Sequence, residues 1–325
     1  MPNNRMRYSS VEMLQGAFSQ IGEYEFTQSA PGRLDALVTS TAIGGCLVYG
    51  SRVDRSLVIT GQRPADCWTI APITAECADG YYRGSQLDCG DLLLLDPAGE
   101  VFQHFRPGHS QNVISIPLPL AQRIIQAEHH ALPEEIWGQW RVKSDPRVSL
   151  ELDGMLRRAL AAQGPTSVDG HSEDEFAGRV IALIQSSCAS EHPRPGVVLR
   201  QRIVARAQEL IHGRLENPPT ITELCEVSCC SRRALFYAFQ SLLGRSPGAH
   251  IKMLRLHEAR RRILKRRHQR GIQQLAFELG FKHPGQFAID YARTFGESPS
   301  ETGGYAGPSV CIETPQRAIL QSAVA

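Results

Sequence analysis

The last third of this 325-residue chain contains one pattern of apolar and small residues twice. The second copy follows the first at an offset of 51 positions up to a turn and of 52 positions after it. The first copy comprises Leu224, Cys225, Cys229, Cys230, Leu235, Phe239, Leu243, Gly244, Ser246 and Pro247, and the second Leu275, Ala276, Gly280, Phe281, Phe287, Tyr291, Phe295, Gly296, Ser298 and Pro299. The repeat therefore predicts two copies of one small folding unit, with one extra residue in the turn of the second.

Each copy has the spacing of a helix-turn-helix. Apolar residues three or four apart, as at Ile221, Leu224 and Cys225, predict a short supporting helix, and the same spacing recurs from Ile272. Gly280 stands where the chain must bend sharply and can adopt positive φ there. Ser231 is the expected N-cap of the second helix. The predicted core of the two units is Leu224, Leu235, Phe239, Leu275, Phe281, Phe287 and Tyr291.

Charge separates this region from the rest of the chain. Residues 195–304 contain 18 Lys and Arg against 9 Asp and Glu, a net charge of +9, so the remainder carries −7 of the total of +2. Such asymmetry in a nearly neutral chain indicates that one module faces a polyanion. Arg and Lys that neutralise phosphates supply the salt-sensitive affinity of a nucleic-acid-binding module.

The stretch 197–304 resembles the DNA-binding domain of the AraC/XylS transcription regulators. The resemblance covers about a third of the chain and rests on Leu235, Phe239, Gly244, Ser246, Pro247, the run 259–264, Ile272, Leu275, Ala276, Gly280, Phe281, Phe287, Phe295, Gly296, Ser298 and Pro299. It implies double-stranded promoter DNA and RNA polymerase as partners, and activation more often than repression. The family often has Arg at the position of Ile289 and a basic residue at that of Ala292, so the second reading helix here is less basic.

Between the two copies, the spacing predicts a connecting helix over 247–267. Its expected apolar residues are Ile251, Leu254, Ala259, Ile263 and Leu264. About 18 residues at 1.5 Å each span roughly 27 Å, while successive major-groove entries on one face lie roughly 34 Å apart. A strut of this length would let one polypeptide insert two helices into successive grooves.

Candidate DNA-contacting residues lie on the outward side of the two second helices. The base-contact candidates are Arg232, Arg233, Phe236 and Tyr237 in the first unit and His283, Gln286 and Ile289 in the second; Lys282 and Arg293 are backbone candidates. Arg is the commonest bidentate partner of guanine, and apolar side chains contact the thymine methyl. The alternative is that these arginines contact only phosphates.

A basic run lies on the connector: Arg260, Arg261, Arg262, Lys265, Arg266 and Arg267. It could bind DNA by itself, but we interpret it as a solvated helix face.

The front of the chain predicts a different architecture. Short β-branched segments separated by Gly and Pro predict strands between residues 26 and 119, at 42–49, 55–60, 67–73, 81–87, 92–96 and 113–118. The fold class is therefore α+β multidomain. The family resemblance implies that the β-rich part is a cupin-like (jelly-roll) domain, flanked here by helices, in front of an all-α domain of two helix-turn-helix units joined by a linker helix.

Helical spacing follows at 118–130, 148–162 and 173–187, with Leu150, Leu156 and Leu160 in one expected apolar stripe and Phe176, Val180, Ile181 and Ile184 in another. We divide the chain into an N-terminal sensory or dimerisation domain at 1–190 (β-rich 26–119, helical 120–190), a linker at 191–196, the DNA-binding domain at 197–304 and a tail at 305–325. The stripes fit packing within one chain as well as homodimerisation. A small-molecule effector is a further expected partner, and its contact residues are unknown.

No catalytic motif, cofactor or metal site is predicted. The nine cysteines lack the spacing of a disulfide scaffold. The repeat places Cys225, Cys229 and Cys230 opposite Ala276, Gly280 and Phe281, at positions that require a small or buried residue, so a structural role is expected. His104 and His109 are five apart with no carboxylate grouping, and His129 and His130 fall in a helical stretch. Trp68, Tyr81 and Tyr82 fall on predicted strands, as core residues or as the lining of an effector pocket.

These patterns favour a sequence-specific transcription regulator without enzymatic activity. No apolar run long enough for a membrane span occurs, so a bacterial cytoplasmic protein, on the nucleoid when bound to DNA, is expected. Two alternatives stay open. One is an enzyme, such as a cysteine-based repair methyltransferase or a cupin oxygenase, fused to the same DNA reader; the other is a nucleoid-type binder without sequence preference.

Overall fold

The computed structural model describes residues 4–19, 21–78, 80–127, 141–162, 173–186, 195–265 and 271–304. Its N-terminal part is built on twelve strands: β1 (Asn4–Tyr8), β2 (Glu23–Gln28), β3 (Ala36–Ile43), β4 (Cys46–Val53), β5 (Leu57–Gln62), β6 (Cys67–Pro72), β7 (Tyr81–Tyr82), β8 (Ser85–Gln86), β9 (Asp91–Leu95), β10 (Glu100–Phe105), β11 (Ser110–Pro117) and β12 (Arg141–Lys143), counted over the described residues. Strands therefore occur on both sides of the predicted 26–119 range.

The strands form two antiparallel sheets. One has seven strands in the order β1-β3-β4-β11-β6-β9-β12, and the other has five in the order β2-β5-β10-β7-β8. Side chains alternate between the faces of each strand, so Leu93 and Leu95 of β9 enter the core between the sheets while Leu92 and Leu94 face the opposite side. β9 is buried on both faces for this reason.

Two predicted strands are hairpins instead. The segment 42–49 contains the end of β3, a turn with Gly44 at φ 56° and the start of β4. Likewise 81–87 contains β7, a tight turn at Arg83 and Gly84, and β8. Both predictions of a single strand were wrong because the continuous apolar and aromatic content concealed a reversal at residues with positive φ.

Helices cover the outer face of the seven-stranded sheet. They are α2 (Leu118–Ala127), α3 (Pro146–Ala161) and α4 (Glu173–Gln185), while α1 (Val11–Phe18) packs beside β2. The predicted stripe of α4 is confirmed, since Phe176, Val180, Ile181 and Ile184 are all buried. The stripe of α3 needs a correction: Leu156 and Leu160 are buried, but Leu150 is 56% exposed. Leu152 and Ala159 occupy the inward face with them.

Among the described residues of the C-terminal part, helices joined by turns are the only regular secondary structure. It contains α5 (Pro195–Gly213), α6 (Ile221–Val227), α7 (Arg232–Leu243), α8 (Pro247–Leu264), α9 (Gly271–Glu278), α10 (Pro284–Phe295) and α11 (Pro299–Gly304). The predicted connector is α8, a helix of 18 residues. Ile251, Leu254, Ala259 and Ile263 are buried as expected, whereas Leu264 is exposed, which corrects that assignment. Arg266 and Arg267 lie outside the described residues.

Each helix pair has its own core. The first packs α6 and α7 against α5, and its buried cluster includes Leu224, Leu235 and Phe239. The second packs α9 and α10 against the C-terminal half of α8, around Leu275, Phe287 and Tyr291, with Phe281 partly buried at its edge. α8 contributes to both cores and thereby joins the two units.

The five-stranded sheet separates the front core from the C-terminal helices. Its inward residues, such as Ile59 and Phe105, belong to the core between the sheets, while Val58 belongs to the core of the first helix pair. On the same outer face, His104 lies against Gly244 at the C-terminal end of α7. Gly296, at the end of α10, lies against Arg33, so both helix ends abut the front sheet region.

Polar contacts reinforce this interface. The Gln28 backbone N–H donates to His257 Nε2 at 3.1 Å, and the Gln28 side-chain amide donates to the Thr294 carbonyl at 2.9 Å. Arg260 is buried and pairs with Glu12 at 3.2 Å and Glu297 at 2.6 Å.

The basic run on α8 is consequently ion-paired rather than freely solvated at Arg260, Arg261 and Arg262, whereas Lys265 is exposed. Arg261 pairs with Glu25 and Glu258, and Arg262 with Glu216, Glu258 and Glu278. These arginines form ion pairs within the protein, which corrects our interpretation for Arg260, Arg261 and Arg262 but not for the exposed Lys265. Among the described helices, none combines the length and the apolar character that a membrane span requires.

Candidate nucleic-acid interface

The two helix pairs share one turn geometry. After α6, the Cys230 N–H donates to the Cys225 carbonyl at 3.0 Å and the Cys229 N–H to the Glu226 carbonyl at 3.1 Å. After α9, Phe281 donates to Ala276 at 2.9 Å and Gly280 to Phe277 at 2.8 Å. These paired bonds define a Schellman motif, in which the residue after the C-cap is left-handed.

The left-handed residues are Cys229, at φ 49°, and Gly280, at φ 71°, which confirms the positive φ predicted at Gly280. Four residues separate α6 from α7 and five separate α9 from α10, as the change of offset predicts. The second helix of each pair therefore begins after an equivalent turn.

α7 is fixed at both ends and on one side. The Ser231 side chain accepts from the Ala234 N–H at 3.2 Å, which confirms the expected N-cap, and Gly244 ends the helix in the left-handed conformation. Leu235 and Phe239 are completely buried. The opposite face is open, since Arg232, Arg233 and Tyr237 are exposed and Phe236 is half-buried.

Aromatic rings and guanidinium groups alternate on this face. The Arg232 guanidinium lies 5.6 Å from the centre of the Phe236 ring, and that of Arg200 lies 5.5 Å from the centre of the Tyr237 ring. A concave surface on this side is lined by Ser231, Arg233, Ala234, Phe236, Tyr237, Gln240 and Ser246. The arrangement combines cations for phosphates with flat rings for base edges.

α10 presents the equivalent face with different chemistry. Its N-cap is His283, which makes no side-chain capping bond and is exposed together with Gln286. Ile289 occupies the place of Tyr237, and the two side chains are 60% and 62% exposed. The most exposed large apolar side chain of each second helix thus stands at the same position of the repeat.

The cations of the second unit differ in their pairing. Lys282 is exposed before α10. Arg293 is 67% exposed and pairs with Asp290 at 2.7 Å, while Lys252 of α8 contacts the other oxygen of Asp290 at 2.5 Å. Burial acts to raise the pKa of Asp290, but bonds from Lys252 and Gln286 and the charges of Lys252 and Arg293 keep that pKa below its usual value. Asp290 thereby ties α10 to α8.

Among the predicted DNA-contacting residues, three cations make no ion pair with any carboxylate of the described residues: Arg232, Arg233 and Lys282. Their charge is available to a polyanion, in contrast to the paired arginines of α8. Sequence reasoning missed Arg200, Gln240 and Ser246 at this surface. Gln240 lies one turn after Phe236 and could have been found by helical spacing. Arg200 belongs to α5 and lies at this surface only because α5 packs against α7.

A second candidate site lies between the sheets of the front domain. A cavity of about 60 Å³ is lined by apolar side chains together with Arg63, Gln103 and Gln111. Gln103 donates to the Gln111 side-chain oxygen at 2.9 Å, and the Gln111 Nε2 is buried without a partner among the described residues. Arg63 is buried and contacts the Tyr82 hydroxyl.

None of the three aromatic candidates lines this cavity. Trp68 packs between the seven-stranded sheet and the helices, Tyr82 lies beside Arg63, and Tyr81 stacks on His104. Burial lowers the pKa of His104 and of His109 to about 4, with nearby cations adding to the effect at His104. No group of three or more metal-ligating side chains is found among the described residues; His129 and His130 lie outside them.

The helix pairs of this chain resemble a domain of known proteins. A sequence model of the helix-turn-helix domain matches residues 224–304. The XylDLEGF operon transcriptional activator 1 of Pseudomonas putida is 24% identical over 232 residues, covering 69% of this chain and 67% of that protein. The probable thc operon regulatory protein of Rhodococcus erythropolis is 34% identical over 100 residues, covering 30% of each.

The chain carries a DNA-binding domain of the AraC/XylS family. It is a DNA-binding transcription regulator. Among solved structures, a probable AraC family transcriptional regulator from Rhodopseudomonas palustris is 36% identical, covers 33% of this chain and 98% of its own, and has a TM-score of 0.31. The AraC-like activator CuxR is 10% identical over 79% of this chain, with a TM-score of 0.40.

Proposed function

We propose that this AraC/XylS-type regulator recognises specific promoter sequences with α7 and α10 in successive major grooves, and that it activates transcription together with RNA polymerase. The observation that carries the proposal is the equivalence of the two exposed faces, with Tyr237 and Ile289 projecting from the same position of the repeat. Two such faces on one rigid connector suit a duplex that presents its groove once per turn.

The connector supports this spacing. α8 has 18 residues, which at 1.5 Å per residue gives about 27 Å, compared with roughly 34 Å between groove entries. α7 ends next to the N-terminus of α8, and α10 packs on the C-terminal half of α8. The remaining distance falls within the breadth of the helices themselves.

We assign base contacts in the first unit to Arg233, Arg232, Phe236 and Tyr237. In the second unit we assign them to His283, Gln286 and Ile289, with Lys282 and Arg293 on phosphates. The unpaired cations of α7 favour electrostatic recognition by the first unit, whereas Ile289 offers the second unit apolar contact with thymine methyl groups.

In this proposal the front domain binds the effector to which the regulator responds. We take its two-sheet core to be a cupin-like barrel whose cavity binds a small effector, because Arg63 and the unpartnered Gln111 amide are buried in a mostly apolar space. The cavity volume of about 60 Å³ holds roughly two waters. An effector must therefore displace lining side chains, and part of the lining belongs to the five-stranded sheet, whose outer face packs on the DNA-binding domain. Homodimerisation through the helices of the front domain completes the proposal.

A competition experiment tests this function. Duplexes selected from a random pool by the full-length protein should bind roughly a thousandfold more tightly than bulk DNA. Tyr237→Ala and Ile289→Ala should each weaken binding to the selected duplex, and Leu150→Ala, at a leucine of α3 with similar exposure, serves as the matched control. Equal affinity for selected and bulk DNA would instead identify a binder without sequence preference.

A further inference from the structure

The turn of the first helix pair has cysteine at all three of its defining positions. Cys225 provides the carbonyl that closes the Schellman motif, Cys229 is the left-handed residue, and Cys230 donates the closing bond at 3.0 Å. In such motifs the side chains of the first and last of these positions pack against each other. In the second helix pair these two positions hold Ala276 and Phe281.

The outer two thiols are brought together by this geometry. The Cys225 and Cys230 side chains are half-buried and are in hydrogen-bonding contact, while Cys229 is exposed. The hydrogen bond from the Cys230 N–H to the Cys225 carbonyl holds the main chains of these two residues together, although they are five positions apart in the sequence. A disulfide requires two such neighbouring residues with side chains that face each other.

We infer that Cys225 and Cys230 form a reversible disulfide when a peroxide is present, and that this modification weakens DNA binding by the first helix-turn-helix unit. The disulfide part rests only on the turn geometry. The DNA-binding part rests on the proposed function of α7.

The chemistry needs only the two thiols and the peroxide. Burial and the neighbouring cysteines raise the pKa of Cys230, which leaves less of this thiol as the nucleophilic thiolate. Cys225 Sγ therefore attacks one peroxide oxygen, the O–O bond breaks, and with hydrogen peroxide a sulfenic acid and water result. The Cys230 thiol then attacks the sulfenic sulfur, the S–S bond forms, and the hydroxyl leaves as a second water. The two thiols together lose two electrons, and these electrons reduce one peroxide.

The location of the bond explains its effect on DNA. A disulfide is about 2.05 Å long, shorter than any hydrogen-bonded separation of two sulfurs, so the turn must tighten. Cys230 immediately precedes the N-cap Ser231 and the exposed Arg232 and Arg233. A change in the turn therefore moves the beginning of α7, where the first base contacts are proposed.

Peptide mass spectrometry tests the bond directly. Cleavage of the full-length protein after Arg214 and Arg232 releases residues 215–232, which contain all three cysteines. After hydrogen peroxide treatment and alkylation of free thiols, we expect this peptide to carry one alkyl group, on Cys229, and to lack two hydrogens. Three alkyl groups, or a bond that includes Cys229, would overturn the inference.

DNA affinity tests the consequence, on a duplex selected by the reduced protein. Peroxide should weaken binding by roughly tenfold, the equivalent of one lost base contact, and dithiothreitol should restore it. Cys225→Ala and Cys230→Phe place the residues of the second unit in the first, and both should abolish the peroxide response while binding normally when reduced. Cys229→Ser is the matched control and should keep the response.

The possible failures are distinguishable. If the reduced protein selects no duplex, the proposed function fails, while the peptide result still decides the disulfide. If the disulfide forms but affinity is unchanged, or if Cys225→Ala keeps the response, the regulatory part is wrong.

Discussion

At the scale of single residues, the outward position of the candidate DNA-contacting face of α7 could be predicted and its detailed surroundings could not. Helical spacing placed Arg232, Arg233 and Tyr237 opposite the buried Leu235, because a fixed 3.6-residue period relates exposed to buried positions. The contact of Arg200 with the Tyr237 ring depends on the packing of α5 on α7. Local periodicity contains no information about that contact.

Arg233 provides the first prediction. Arg233→Ala should cost about 1 to 3 kcal/mol of binding free energy on duplexes that retain one particular base pair, because a bidentate contact with guanine is lost. Affinities measured on a set of singly substituted duplexes give the comparison. A uniform loss on every duplex, with a smaller salt dependence, would show that Arg233 contacts phosphate instead.

At the scale of elements, the helices were easier to predict than the strands. Seven-residue and longer amphipathic segments show their period, so α4 and α8 were found close to their observed bounds. Strands β3 and β4 were fused in the prediction because Gly44 and Gly45 turn the chain within an apolar segment. β10 was missed because its inward side chains include Gln103, which lines the cavity.

The paired turns provide a prediction at this scale. Gly280→Ala should destabilise the protein by about 1 kcal/mol or more, because an L-residue is strained at positive φ and its Cβ would meet the Arg255 side chain at 2.7 Å and the Glu216 carbonyl at 3.0 Å. The reciprocal change, Cys229→Gly, should be neutral or should stabilise the protein by up to about 1 kcal/mol. Urea unfolding measures both, and a loss of stability in Cys229→Gly would contradict the account of the turn.

At the scale of the whole molecule, the contact between the front domain and the DNA-binding domain was not predictable. It joins Gln28 to His257 and Glu12 to Arg260, pairs separated by more than two hundred residues. The basic run on α8 was misinterpreted for the same reason, since its partners Glu12, Glu25 and Glu216 are distant in sequence. Charge asymmetry predicted a polyanion-binding module but not which arginines stay available.

Buried histidines give the stability of the protein a pH dependence: His104 and His257 lie at this interface, and His250 lies within the DNA-binding domain against Phe239. Burial lowers the pKa of His104 and His257 to about 4 and that of His250 to about 3, against 6.5 in an unfolded chain. Below pH 6.5 the unfolded state therefore binds more protons than the native state, so stability is fully present above about pH 7 and decreases as the pH falls towards 4.

The expected slope is up to about 1.4 kcal/mol per pH unit for each such histidine. Urea unfolding between pH 7.5 and 5 should show this decrease in the free energy of unfolding. His257→Gln should reduce the slope of the free energy against pH by the amount that one histidine contributes. A stability that is constant over this range would contradict the neutral, buried state of these rings.

Protection of DNA from cleavage tests the central claim most directly. On a selected duplex, the full-length protein should protect two windows on one face, roughly one helical turn apart, with Tyr237→Ala exposing one window and Ile289→Ala the other. Protection of a single window that is unaffected by Ile289→Ala would contradict the claim that both units read DNA.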